Sequence, residues 1–291
     1  MGVVVTVMNM KGGVGKTTVA MHLAGVLARY NLGQEDPLSV LAIDYDPQFN
    51  LSQAFLPAKR YFELEKDQKT TLSILVDDDA DLDPYRLQVP GNHNPPAVAD
   101  LATAIYKPGI SAGLLDIIPS TLDLMYVALG QANADVKPIE ERFAKFIAEC
   151  RAKYDVTIID CHPAGSLFTK TSLNNSDHVL IPVMPQRYAV RGIGLMLDFI
   201  SAKKKGTAGP QPHILFNGTA RHGGTSEEED AIRADKKYGP LCMKNNLKWY
   251  KAYSEPHEGK GFVWFSGAPY SVEARRVLRL MGQEFRTRIG L

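Results

Sequence analysis

The run Val3-Val4-Val5-Thr6-Val7 breaks into Met8-Asn9-Met10-Lys11-Gly12-Gly13-Val14-Gly15-Lys16-Thr17-Thr18, followed by an apolar-periodic segment over 19–30. A β-branched run, a glycine-rich turn and a helical period, in that order, predict strand, loop and helix. Gly12, Gly13 and Gly15 let successive backbone N–H groups converge on phosphate oxygens, and the helix start adds its positive dipole end. Lys16 then supplies a mobile charge, and the Thr17 hydroxyl is placed to ligate Mg²⁺. Residues 11–18, Val14 and Thr18 included, are expected to hold a nucleoside triphosphate.

One position departs from the common pattern GxxxxGK[ST], which puts glycine at 10, where this chain has Met10 followed by an additional lysine, Lys11. The run Lys11-Gly12-Gly13-Val14-Gly15-Lys16-Thr17-Thr18 resembles the deviant Walker A motif of the ParA/MinD group of ATPases. Further resemblances follow along the chain. An apolar run over 38–43 ends in Asp44-Tyr45-Asp46-Pro47-Gln48-Phe49-Asn50. Acids just past a parallel strand lie at the edge where α/β sheets bind ligands, although an Asp-Pro turn capping a helix has the same composition. The segment looks like switch I of ParA-type proteins, which implies Mg²⁺ support for Asp44 and positioning of the attacking water for Asp46. The strand expected over 154–159 ends in Asp160-Cys161-His162-Pro163, the physical content of a Walker B element whose carboxylate meets Mg²⁺-bound water.

Short helical pieces are expected over 51–56 and 72–76, and an extended loop excursion over 77–113, rich in Asp, Pro, Gly and Asn. Strand signals return at 114–120, 177–185 and 213–217, and helical ones at 122–129, 139–151, 188–201 and 226–238. The triple lysine 203–205 suits either phosphate contact or the end of a helix dipole. Asn217, at a strand end, is expected to read the adenine edge, by analogy with related NTPases. The segment 248–259 resembles a family element forming a short helix beside the nucleotide. The last helix, 272–288, reads three ways: docked on the core, facing DNA, or a MinD-like membrane anchor.

Strand-helix alternation with acids at successive strand ends predicts an α/β fold, a doubly wound, mostly parallel β-sheet flanked by helices, as one domain over 1–291. Net charge is +1, but 231–291 carries twelve Lys/Arg against five Asp/Glu. That excess fits nucleic acid and equally a solvated helical face. Three scattered cysteines make no disulfide framework or metal clip, and no leader or long apolar segment is visible, so a cytoplasmic protein is expected.

The resemblance implies an ATPase for plasmid or chromosome partition that uses ATP and Mg²⁺ and lacks an N-terminal operator-binding module. An ATP-bound homodimer would bind non-specific DNA, with Lys11 reaching into the partner's site and a ParB-like partner stimulating hydrolysis. Lys11, Lys16 and Asp46 are then the catalytic set, and Thr17, Asp44 and Asp160 the metal set. Arg221, Arg233, Lys236, Lys237, Arg275, Arg276 and Arg279 are the candidates for DNA contact. The alternative is a MinD-like positioning ATPase acting on a membrane or a protein cargo.

Overall fold

The computed structural model describes residues 1–33, 35–77, 94–106, 113–129, 136–162, 167–202, 209–254 and 261–291. Its strands are β1 (Val3–Val7), β2 (Val40–Tyr45), β3 (Thr103–Tyr106), β4 (Leu115–Ile118), β5 (Val156–Cys161), β6 (His178–Val183), β7 (Gln211–Thr219) and β8 (Leu247–Lys248). The helices are α1 (Lys16–Arg29), α2 (Asn50–Phe55), α3 (Ala58–Lys66), α4 (Leu72–Leu75), α5 (Val98–Leu101), α6 (Leu124–Leu129), α7 (Lys137–Lys153), α8 (Leu167–Asn175), α9 (Ala189–Ala202), α10 (Glu227–Ala234) and α11 (Ser271–Arg288).

One sheet runs in the order β3-β4-β2-β5-β1-β6-β7-β8. All its pairs are parallel except β3 with β4. The connection from β1 leads to β2 on one side, and those from β6 and β7 lead to the other, so the crevice beside β1 is a topological switch point.

The strands read as unbroken apolar runs because both faces are covered. Val5 and Val7 face a layer formed with α1, α2, α3 and α11, whereas Val4 and the following Met8 face the layer with α7, α8 and α9. Asp44 shares the parity of Val40 and Ala42, and Asp160 that of Val156 and Ile158, so both acids lie on the α1 face of the sheet. That alternation brings them to the start of α1.

Within the 77–113 stretch expected as a loop, the structure places α5 and the edge strand β3. Thr103-Ala104-Ile105-Tyr106 is short, is interrupted by a register shift between Ala104 and Tyr106, and pairs on one side only. Four residues carry too weak an alternation to stand out among prolines and glycines. The acidic run 78–83, His93 and residues 107–112 fall outside the described residues, as do Lys203, Lys204 and Lys205. Helix α3 also had no sequence signal, because only Tyr61 and Leu64 are buried along it.

Helix α11 docks on the core through Ala274, Leu278, Met281, Gly282 and Phe285. Arg286 is buried and donates to the Asp36 carbonyl at 2.6 Å. Its position one residue after Phe285 puts its stem on the apolar stripe while its head reaches the α1–β2 connection. No helix among the described residues is long and apolar enough to cross a membrane.

Candidate nucleotide and metal site

The loop after β1 is held from below. Asn9, 3% exposed, donates through Nδ2 to the Pro182 carbonyl at 2.8 Å and accepts the Lys11 N–H at 3.0 Å. Gly13 and Gly15 have φ of 73° and 82°, a region that side chains with a Cβ adopt at a cost. At Gly15 a Cβ would also lie 2.3 Å from Asn217 Nδ2, so glycine is required there twice over. Gly15 precedes α1 with no side-chain cap, and the first turn holds no acid. The opening N–H groups of a 14-residue helix therefore face the crevice, with Lys16 and Thr17 half-buried at its start.

Asn217, near the end of β7, donates from Nδ2 to the Val14 carbonyl at 2.8 Å. The structure thus gives it a bracing contact on the loop, beyond the base-reading role expected of it. Lys11 is exposed, and its Nζ donates to Gln186 Oε1 at 2.7 Å across the mouth of the crevice.

The two strand-end acids are direct neighbours, with Asp44 opposite Asp160 in the β2–β5 register. Asp44 is fully buried. Its Oδ2 accepts the Ser52 N–H at 2.7 Å and the Ser52 hydroxyl at 2.6 Å, and its Oδ1 lies 3.4 Å from the Asp46 N–H. Burial first, and then the charge of Asp160, holds its carboxyl well above the usual carboxylate range. Asp160, 2% exposed, lies beside the Thr17 hydroxyl, which favours its charged form, and among the described residues its Oδ2 is buried with no partner. Burial pushes its carboxyl up to about 7, and nearby Asp46 adds to the effect.

Two buried carboxylates side by side with one orphaned oxygen are costly without a cation. The donor set of Thr17, Asp44 and Asp160 fits Mg²⁺, a hard ion that keeps waters and takes few carboxylates.

Asp46 sits half-buried at the mouth, its Oδ1 accepting the Gln48 N–H at 2.9 Å. Its carbonyl accepts from the Ser120 hydroxyl at 2.7 Å, and the Ser120 N–H donates to Ser52 Oγ at 2.8 Å. Ser52 and Ser120 thus tie Asp44 to Asp46. Neither was singled out as a site residue, although Ser120 follows a strand that ends at the same sheet edge. His162 donates its backbone N–H to the Tyr45 carbonyl at 3.3 Å, and the following residues 163–166 are outside those described.

The seven basic candidates do not form one set. Arg275, Arg276 and Arg279 line, with Asn31, Leu32 and Gly33, a groove of about 260 Å³ along α11. Arg279 stands over the Tyr30 ring at 5.1 Å, and Arg221 stands over Tyr270, just before α11, at 4.7 Å. Lys236 and Lys237 are exposed beyond α10, whose Ile232 packs in the layer on the opposite face of the sheet. Arg233 is braced within the chain. It donates to Glu229 Oε1 at 2.8 Å, the Met243 carbonyl at 2.9 Å and Asn246 Oδ1 at 2.7 Å, over the Phe216 ring at 4.8 Å. These three bonds hold α10 to the chain that follows it.

Within the segment 248–259, expected to form a short helix, the described residues form a 3-10 turn, Lys251–Tyr253, against α1 and α11. Tyr253 meets the His22 ring at 5.0 Å and donates to the Ala274 carbonyl at 2.5 Å. Residues 255–260 are outside those described.

A glycine-lined loop after the first strand, an open helix start with a lysine, and acids ending the neighbouring strands define a P-loop NTPase. A family described as AAA domain (AAA_31) matches residues 2–209. The sporulation initiation inhibitor protein Soj of Bacillus subtilis is 30% identical over 210 residues, covering 70% of this chain and 67% of Soj. The chain belongs to the ParA/MinD-type P-loop ATPases.

Among solved structures, pNOB8 ParA superposes with a TM-score of 0.72 over 99% of each chain at 17% identity, and it has also been solved bound to nonspecific DNA. A plasmid partition protein from Borrelia burgdorferi bound to AMPPNP superposes with a TM-score of 0.65 over 99% of this chain and 100% of that one, at 19% identity. At those identities the likeness is one of fold.

Proposed function

We propose that this protein is a ParA-like partition ATPase whose ATP-bound homodimer binds DNA without sequence preference and is released when a ParB-like partner stimulates hydrolysis. The observation that carries the nucleotide part is the juxtaposition of the uncapped start of α1 with the orphaned Asp160 oxygen and Asp44. In this reading the N–H groups of 12–18 and the Lys16 ammonium hold the phosphates. Thr17, Asp160 and Asp44 hold Mg²⁺, which neutralises phosphate charge when bound. Asp46 accepts a hydrogen bond from the attacking water and orients it, and Asn217 lies beside the base. Lys11 exchanges Gln186 for the phosphates of the partner's site, adding positive charge where negative charge develops.

DNA contact is assigned to Arg275, Arg276 and Arg279 with Arg221 near the start of α11, and secondarily to Lys236 and Lys237. The DNA-bound ParA neighbour supports this reading for the fold. The test is DNA binding by the wild type and Lys11→Ala in ATP, ADP and a non-hydrolysable analogue. Binding is expected only with ATP or the analogue, to fall steeply with salt, and to be lost in Lys11→Ala. Binding that ignores nucleotide or salt would overturn the proposal. Vesicle pelleting with ATP separates the MinD-like alternative.

A further inference from the structure

The turn that carries Asp46 ends in a residue whose backbone does not suit it. Phe49 has φ 42° and ψ 32°, the left-handed region, where a bulky side chain is an outlier. Phe49 stands three residues after Asp46 and three before Ser52. Its N–H donates to the Asp46 carbonyl at 2.9 Å, closing the turn, and its own carbonyl accepts the Gln53 N–H at 3.1 Å, opening α2. The left-handed residue therefore redirects the chain so that Asp46 stays at the mouth while Ser52 reaches back to Asp44.

What holds Phe49 there is a ring. Phe49 stacks on Tyr61 of α3 with centroids 5.2 Å apart and planes 12° from parallel. Tyr61 is 5% exposed, and its hydroxyl donates to Glu65 Oε1 at 2.9 Å. The same Glu65 oxygen accepts from the Thr121 hydroxyl at 2.8 Å, and the neighbouring Ser120 grips the Asp46 carbonyl. Two arms, one of rings and one of hydrogen bonds, thus run from α3 to the backbone of Asp46.

We propose that Phe49, clamped by Tyr61, is a positioning residue that sets Asp46 for hydrolysis by keeping the 46–49 turn in its left-handed form. The proposal rests on the role given to Asp46 above. Removing the ring while keeping a Cβ leaves the left-handed backbone unsupported, and the turn opens. The ground-state phosphate contacts, made by the loop and α1, are untouched.

The experiment measures kcat and KM for Mg²⁺-ATP, with thermal melting, on Phe49→Ala, Phe49→Gly, Phe49→Tyr and Tyr61→Leu, beside Asp46→Ala. Phe49→Ala is expected to lower kcat about tenfold, the size of a left-handed penalty, with KM within twofold of wild type. Phe49→Gly recovers most of that loss although it removes more side chain, because glycine takes this φ freely. Phe49→Tyr keeps the stack and the rate, and Tyr61→Leu, which keeps apolar volume without a flat ring, reproduces the Phe49→Ala loss. A simple packing role predicts the reverse order, glycine worse than alanine, and that order would overturn the proposal. If Asp46→Ala is inactive while Phe49→Ala and Tyr61→Leu keep the wild-type kcat, the clamp is refuted alone. If Asp46→Ala keeps the wild-type rate, the role of Asp46 falls instead.

Discussion

Ser52→Ala removes one oxygen from the point where the two acid-bearing segments are joined. Ser52 is fully buried, its hydroxyl donates to Asp44 Oδ2 at 2.6 Å, and the same oxygen accepts the Ser120 N–H at 2.8 Å. With Asp44 ionised, the first bond is charge-assisted and its loss costs about 1.5–3 kcal/mol. Stranding the buried Ser120 N–H adds about 1–3 kcal/mol. Some relaxation of α2 and the shared partners keep the sum from being additive, so about 3 kcal/mol is expected, a large share of a typical folding stability.

Burial of Asp44 beside Asp160 makes the ionised state hard to reach without a cation. The full cost of Ser52→Ala should therefore show with Mg²⁺ and nucleotide bound, and a smaller cost, nearer 2 kcal/mol, without them, since the stranded Ser120 N–H counts in both. Urea unfolding in EDTA and in Mg²⁺ with a non-hydrolysable ATP analogue measures both. Ser52→Ala should also slow hydrolysis, because Ser120 loses its fixed place on the Asp46 carbonyl. A loss below about 0.5 kcal/mol in both conditions, or one unchanged by Mg²⁺-nucleotide, would refute the coupling of Asp44 to Asp46 through this hydroxyl.

Asp160→Asn should raise the melting temperature of the protein in EDTA at pH 8, since it removes a buried charge whose carboxyl is pushed up to about 7, while abolishing the stabilisation by Mg²⁺-nucleotide. Burial lowers His22 to about 4, so between pH 6.5 and 4 the unfolded state binds the extra proton. The stability His22 leaves intact above pH 6.5 is lost as pH falls toward 4, by up to roughly 3 kcal/mol, and His22→Leu should flatten that part of the stability–pH curve. Arg142→Met should destabilise by about 3–5 kcal/mol in urea, because the buried guanidinium donates to the carbonyls of Ser73, Ile74, Val76 and Asn94 and to Asp77.

The sequence showed the phosphate loop and both acid-bearing strand ends because each is a local pattern. A β-branched run followed by Gly-Lys-Thr-Thr, or by Asp, can be read within ten residues. Parallel strands covered on both faces also announce themselves as unbroken apolar runs, which is why β1, β2, β5, β6 and β7 were legible and the one-sided edge strand β3 was not.

What joins these parts was hidden for a different reason. Ser52 and Ser120 meet across 68 residues of chain, but no short pattern distinguishes a serine that grips an aspartate from one that faces water. Arg233, named as a candidate through the family resemblance, shows the same limit: three of its N–H groups donate to Glu229, Asn246 and the Met243 carbonyl, partners that no local pattern announces. Charge counts register the residue and not its partners.

Lys11 lies between these cases. Its place in the loop was legible, but its Nζ rests on Gln186, a residue 175 positions away whose glutamine says nothing in isolation. An exposed ammonium held by one neutral oxygen gives up little on leaving it, whereas a desolvated phosphate repays the move. On that ground Lys11 is suited to the exchange of partners that the proposed ATP-bound dimer requires of it. Lys16 has no such latitude, because it is half-buried at the start of α1 beside Asp160.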